Sequence, residues 1–426
     1  MSGRLLADIT PLRESSAFRR LWFSGLLSNI GNQMTAFAVA LQVYLISHSS
    51  LAVGAVGLSA ALPAIAVGLL GGSLIDAVDR RRLVLITSGL LALVSIGFAV
   101  QAFAEFDQLW LLYLLTALTS SLSALNSPAQ STFILRLLPL GQVPAGTALT
   151  MLVVHTSFVV GPSVAGVLAA TGGLKLCYLV DALGFGAALY GVARLPAMPP
   201  HEGGSGIGLA AAIDGLRLLR RDRLLSGALL ADLNATVLGI PIALFPAINA
   251  ERFGGSPRTL GVLTAAIAVG GILGSSLSGP VSRVRYQGRG MLIAGGIWGA
   301  AIAGFGLVHG LAASLCLLVI AGAADVSSVV LRTTIIQLAS PTAYIGRVNA
   351  AQYVVGTACP QLGNFRAGAV GSLTSPGLSA TLGGVASVVG TIVISLAVPA
   401  LTRYRAAADA RSVHAGTDAV SWDHKA

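Results

Sequence analysis

The chain has 426 residues, 55% of them hydrophobic and only 10% charged, with a mean hydropathy of +0.83 and a formal net charge of +10. Soluble domains carry about 25% charged residues, so this composition excludes a globule enclosed by water. The apolar residues run continuously, and about 20 of them suffice to cross a bilayer core of ~30 Å.

Met1 to Arg20 is polar and lacks the apolar core of a cleaved signal peptide. The first span follows at 21–46, which holds no Asp, Glu, Lys or Arg, and 52–75 and 83–104 repeat that character. Further spans are predicted over 109–126, 143–171, 176–193, 224–250, 260–281, 291–308, 311–330, 348–373 and 378–401, making twelve. Arginines gather in alternate connections: Arg19 and Arg20, Arg80 to Arg82, Arg136, Arg194, Arg217 to Arg223, Arg283 to Arg289, Arg332 and Arg347, and Arg403 onward. The opposite loops hold only Lys175, Arg252 and Arg258. The positive-inside rule therefore puts both termini in the cytoplasm, with the chain multi-pass in the plasma (inner) membrane. That bias accounts for the positive charge without a nucleic-acid partner. Cys177, Cys316 and Cys359 are scattered in apolar stretches with no metal-like spacing.

The longest inside connection begins with Pro and Gly and continues into an amphipathic stretch, 207–219, suited to the inner leaflet. It divides the chain into a six-helix half at 1–195, a linker at 196–223, a second half at 224–402 and a tail at 403–426. One constant shift lays Ser131-Thr132-Phe133-Ile134 on Thr333-Thr334-Ile335-Ile336, Pro139 on Pro341, Gly161 on Gly363 and Gly166 on Gly368. Duplicated halves of this kind build secondary transporters.

After the second span the chain reads Gly72-Ser73-Leu74-Ile75-Asp76-Ala77-Val78-Asp79-Arg80-Arg81-Arg82. Gly72 permits close helix approach, Asp76 is able to cap a helix, and the arginines are able to bind carboxylates. This closely resembles the loop 2–3 signature of the major facilitator superfamily, G-x-L-x-D-x-x-G-R-K. It departs at Ala77, where Arg is usual, and at Asp79, where Gly is usual. The resemblance implies an all-α membrane fold and a gating role for Gly72, Leu74, Asp76, Asp79, Arg80 and Arg81. The fifth span carries Gly161-Pro162-Ser163-Val164-Ala165-Gly166, similar to the end of the superfamily's antiporter signature; Gly161, Pro162 and Gly166 match it. Asn126-Ser127-Pro128-Ala129, Leu179-Val180-Asp181-Ala182, Gly346-Arg347-Val348-Asn349-Ala350 and Gln361-Leu362-Gly363-Asn364-Phe365-Arg366 resemble the enterobactin-exporter branch, a likeness running from Phe18 to Leu401.

Charged and polar groups inside spans are functional candidates, because a charge at a helix centre costs about 2.5–3.5 kcal/mol on insertion scales. The candidates for binding protons or substrate are Asp232, Asn234, Arg366, Gln361, Asp181, Asp325 and His155; the alternative for the charged ones is an Asp–Arg pair locking helices together. No phosphate-cradling glycine loop with a following lysine occurs, and neither Lys175 nor Lys425 follows a glycine. Six scattered histidines offer no metal or nucleophile set, so neither an enzyme nor a cofactor is expected. The resemblance implies a proton-coupled exporter of a siderophore or related amphipathic compound; the alternative is a multidrug efflux pump of the same superfamily. A monomer is expected, with a small-molecule substrate, protons and the bilayer as partners.

Overall fold

The computed structural model describes residues 8–70, 78–195, 213–214, 216–217, 220, 222–276, 284–340 and 345–405. Among these residues the chain is helical and no strand occurs. The principal helices are α1 (Ser16–Ser47), α2 (Ser50–Leu70), α3 (Arg80–Phe103), α4 (Leu109–Ser131), α5 (Val143–Gly172) and α6 (Leu174–Ala193). They continue as α7 (Arg223–Leu233), α8 (Phe245–Arg252), α9 (Pro257–Ser276), α10 (Gln287–Leu307), α11 (Leu311–Ala339), α12 (Ile345–Leu373) and α13 (Pro376–Ala397). Ten helical stretches among the described residues are long and apolar enough to cross a membrane. α1 and α12, of 32 and 29 residues, have the length as well but carry Asn and Gln along it. Only 22% to 56% of each apolar window is buried within the protein, so the remaining apolar surface faces lipid.

Local chemistry sets the helix ends. Ser15 accepts from the Phe18 amide at 3.1 Å, Asp79 from Arg82 N at 2.9 Å, and Asp222 from Leu224 N and Leu225 N at 2.7 and 3.0 Å. Two spans run well past their expected C-terminal limits. α4 continues through Pro128 to Ser131, and α11 runs to Ala339 rather than ending at 330. The expected span 224–250 is not one helix either. After Leu233 the backbone passes through a π-helical turn, Asn234–Leu238, then a 3-10 turn, Ile242–Leu244, before α8. Pro241 lacks the amide that would continue the ladder.

The chain forms two compact units, Met1–Gly208 with Phe245–Ala265, and Leu209–Leu244 with Ala266–Ala426. In the first, α6 packs on α1 and α3, α2 on α4, and α5 on α1. The α1–α6 seam is built from small residues: a methyl at Gly31 would lie 2.7 Å from Asp181 Cα, and one at Gly184 would lie 2.9 Å from the Leu27 carbonyl oxygen. In the second, α10 packs on α13 and α11. There a methyl at Gly299 would lie 2.9 Å from the Gly384 carbonyl. Lipid offers no hydrophobic drive for helix pairing, so association depends on such close backbone approach.

The seam predicts opposite outcomes at two glycines of α6. Gly184→Ala forces α1 away and lowers stability by about 1–3 kcal/mol. Gly186, with nothing within 4 Å of an added methyl, gains up to about 1 kcal/mol of helix propensity as Ala. Thermal unfolding of the two purified variants checks the sign of each.

Candidate functional site

A cavity of about 410 Å³ lies within the first unit, walled chiefly by α1, α4 and α5. Along α1 its lining residues Phe18, Trp22, Gly25, Ser28, Asn29 and Asn32 share one helical face; along α4, Ser123, Asn126, Ser127, Gln130 and Ser131 do the same. None of the lining residues is charged. Trp22 Nε1 donates to the Leu149 carbonyl at 2.9 Å, which fixes the indole between α1 and α5. Asn126 Nδ2 donates to the hydroxyls of Thr87 and Ser88 at 2.7 and 2.9 Å. Asn32, Ser127 and Gln130 make no side-chain hydrogen bond among the described residues, so their polar groups are available to a solute or water. Phe18, Trp22, Met151 and Phe185 supply apolar wall. Such a lining suits an uncharged amphipathic solute, because an ion would find no countercharge there.

Asp181 sits in the same unit at the α1–α3–α6 junction and is 2% exposed. One oxygen, Oδ2, accepts from Thr35 Oγ1 at 2.9 Å and from Ser95 Oγ at 2.7 Å; Oδ1 is buried without a partner. Two turns away along α1 a second buried network forms. Gln42 and Gln101 exchange amide hydrogen bonds at 3.0 and 3.1 Å, and the Tyr178 hydroxyl donates to Gln42 Oε1 at 2.7 Å. Gln42, Gln101 and Tyr178 satisfy one another within the buried interior.

In the second unit Asp232 forms an ion pair with Arg332, a residue that sequence analysis placed in an inside loop. The pair is largely buried, with side-chain exposures of 11% for Asp232 and 20% for Arg332, and it borders a cavity of about 80 Å³ with Gln352. The missed signal was in the chain: from Leu311 no proline occurs until Pro341, so α11 had no breaker before Arg332.

Just beyond Asp232 the break between α7 and α8 is fastened from two neighbouring helices. Asn234 Nδ2 donates to the Ser387 carbonyl at 2.8 Å and to Thr391 Oγ1 at 3.1 Å. From α12, Arg366 Nη2 donates to the Leu238 carbonyl at 2.7 Å, and Asn364 Oδ1 accepts from Ala243 N at 3.1 Å. Gly363 presses against the π-helical turn, where a methyl would lie 3.3 Å from Val237 Cα. Arg366 thus supplies an internal cation to a carbonyl that the broken helix leaves open.

The remaining candidates fall into separate places. Asp325 on α11, Gln361 on α12 and His155 on α5 are half-buried and make no hydrogen bond or ion pair among the described residues. Gly72, Leu74 and Asp76 lie outside the described residues, as does most of the 196–223 linker. Asp79 caps α3, which begins at Arg80. Arg81 donates from Nη2 to the Ala193 carbonyl at 2.5 Å, so it closes the C-terminal end of α6. Methyls at Gly161 and Gly166 would lie 2.5 Å from Gln33 Cβ and 2.6 Å from the Pro257 carbonyl, so this face of α5 fits closely on α1 and on the start of α9.

Membrane-crossing helices, small-residue seams and a polar, uncharged cavity define a multi-pass membrane transporter of small molecules. The chain belongs to the family described as transmembrane secretion effector, within the major facilitator superfamily, matched over residues 6–423. It is similar to the enterobactin exporter EntS of Shigella boydii serotype 18 and of Escherichia coli O139:H28, each 29% identical over 406 residues, covering 94% of this chain and 96% of the relative. Its fold matches the nucleoside transporter NupG (TM-score 0.73, 14% identity, 92% of this chain and 100% of that one). It also matches a bacterial homologue of the iron transporter ferroportin in an inward-facing state (TM-score 0.69, 16% identity, 91% and 99%).

The Asp232–Arg332 pair predicts a coupled response. Asp232→Ala and Arg332→Ala each strand a buried charge and lose about 3–5 kcal/mol. The double variant recovers part of that loss. Thermal unfolding of the four members of the cycle measures the coupling, and additive losses would show that the pair does not act as a unit.

Proposed function

We propose that this chain is a secondary active exporter that moves an uncharged amphipathic small molecule of the siderophore class out of the cytoplasm. The observation that carries the proposal is the cavity of about 410 Å³, with two polar stripes, aromatic walls and no charge. The enterobactin exporters among its relatives support the substrate class. In this proposal 1–195 and 224–402 act as the two moving halves of alternating access. The chain works as a monomer in the plasma membrane with both termini cytoplasmic.

The driving ion in this proposal is H⁺. Asp232 is held by Arg332 and Asp181 by two hydroxyls, whereas Asp325 has no partner among the described residues. Asp325 is therefore the carboxylate able to exchange a proton without breaking an internal contact.

Deleting the gene tests the substrate class: siderophore secretion falls while tolerance to drugs and dyes is retained. The reverse pattern would make the chain a multidrug efflux pump. In vesicles, Gln130→Ala lowers transport by roughly fivefold or more, from loss of a hydrogen bond worth about 1 kcal/mol. Asp325→Asn abolishes the response to a proton gradient while leaving solute exchange at equilibrium intact. Gradient-driven transport at the unaltered rate in that variant would remove Asp325 from the proposal.

A further inference from the structure

We infer that the joined ends of α10 and α13 form a binding site for the phosphate headgroup of an anionic phospholipid. Tyr286 immediately precedes α10, and the short helix Pro399–Arg403 that follows α13 packs against it. The two segments are fastened in three places. Gly288 leaves no room for a side chain against the Leu401 carbonyl, Arg289 Nε donates to the Thr402 carbonyl at 3.0 Å, and the Arg405 guanidinium hydrogen-bonds the Tyr286 hydroxyl.

Arg285 and Arg289 flank Tyr286 along the chain, and the fastening brings Arg405 to the same ring. The guanidinium carbons of Arg405, Arg289 and Arg285 lie 4.6, 4.8 and 5.9 Å from the centre of the Tyr286 ring. Arg403 is exposed on the same turn. Among the described residues no carboxylate pairs with Arg285, Arg289 or Arg403. The positive-inside bias accounts for arginines on this side of the membrane, but it does not require three of them to converge on one tyrosine. The repulsion between Arg285 and Arg289 is only partly relieved by the ring face, and an anion would relieve the rest. α10 begins here, so its dipole adds to the positive potential.

Both helix ends lie at the limit of a membrane-crossing segment, where headgroups are concentrated. The exposed residues Val389, Ile392, Val393 and Leu396 of α13 lead away from the cluster and offer an apolar track for acyl chains. Arginine beside an aromatic face suits a phosphate, since the planar fork binds two of its oxygens at once. The occupant is a phosphate that carries its own acyl chains, such as phosphatidylglycerol, and not a free anion.

The test uses the full-length chain purified from vesicles of phosphatidylcholine with or without phosphatidylglycerol, and counts retained lipid by native mass spectrometry. Phosphatidylglycerol is retained over phosphatidylcholine, and Arg285→Gln with Arg289→Gln weakens its retention roughly fivefold per arginine removed. Arg194→Gln, which removes a guanidinium 4.8 Å from the Tyr190 ring, leaves retention unchanged. Equal retention by the double Gln variant, or an equal loss in Arg194→Gln, would overturn the assignment. If the Gln variant fails to fold, Arg285→Lys with Arg289→Lys keeps the charge and shows intermediate retention; retention at the original level there would overturn the bidentate geometry. In the unaltered protein phosphatidylglycerol raises the unfolding temperature, and inorganic phosphate at the same concentration does not; an equal rise with inorganic phosphate would overturn the lipid.

Discussion

Inside a bilayer core every amide and carbonyl must find its partner within the protein, since no water is present to serve as one. Continuous helices satisfy that demand locally, which is why the described residues contain no strand. The same constraint governs exceptions. Where the ladder fails between Leu233 and Phe245, side chains from α12 take the place of the missing backbone partners. Arg366 and Asn364 meet the freed Leu238 carbonyl and Ala243 amide, while Asn234 anchors the break to α13.

Helix association follows from the second property of lipid, its lack of hydrophobic preference for protein over itself. The α1–α6 and α10–α13 seams accordingly bring backbones together through Gly31, Gly184, Gly299 and Gly384 rather than through large apolar side chains. Large residues such as Leu62, Leu93 and Leu183 point outward instead. This inverts the arrangement of a water-soluble protein. It also leaves polar side chains free to line a cavity, as α1 and α4 do.

Much of the candidate site is legible along the chain. Asp181, Asp232, Asn234 and Arg366 stood out because polar groups in apolar runs demand an explanation. Their partners did not stand out. Thr35 and Ser95 are unremarkable in a membrane span, and Arg332 looked like one more cytoplasmic arginine until α11 was seen to continue past it. The polar stripes on α1 and α4 were present at a spacing of three and four residues. Asn126 and Ser127 stood out only as part of a family motif, because Ser and Asn add no charge to an apolar run.

The sequence by itself determined the membrane, the family and the approximate spans, because hydropathy and motif spacing are properties of neighbours along the chain. Tertiary structure alone decided which polar groups meet. It paired Asp232 with Arg332, tied Arg366 to the broken helix, assigned Arg81 to the end of α6 and brought Arg405 to Tyr286. Each contact joins residues distant in sequence, and its energy depends on burial and geometry that no local pattern encodes.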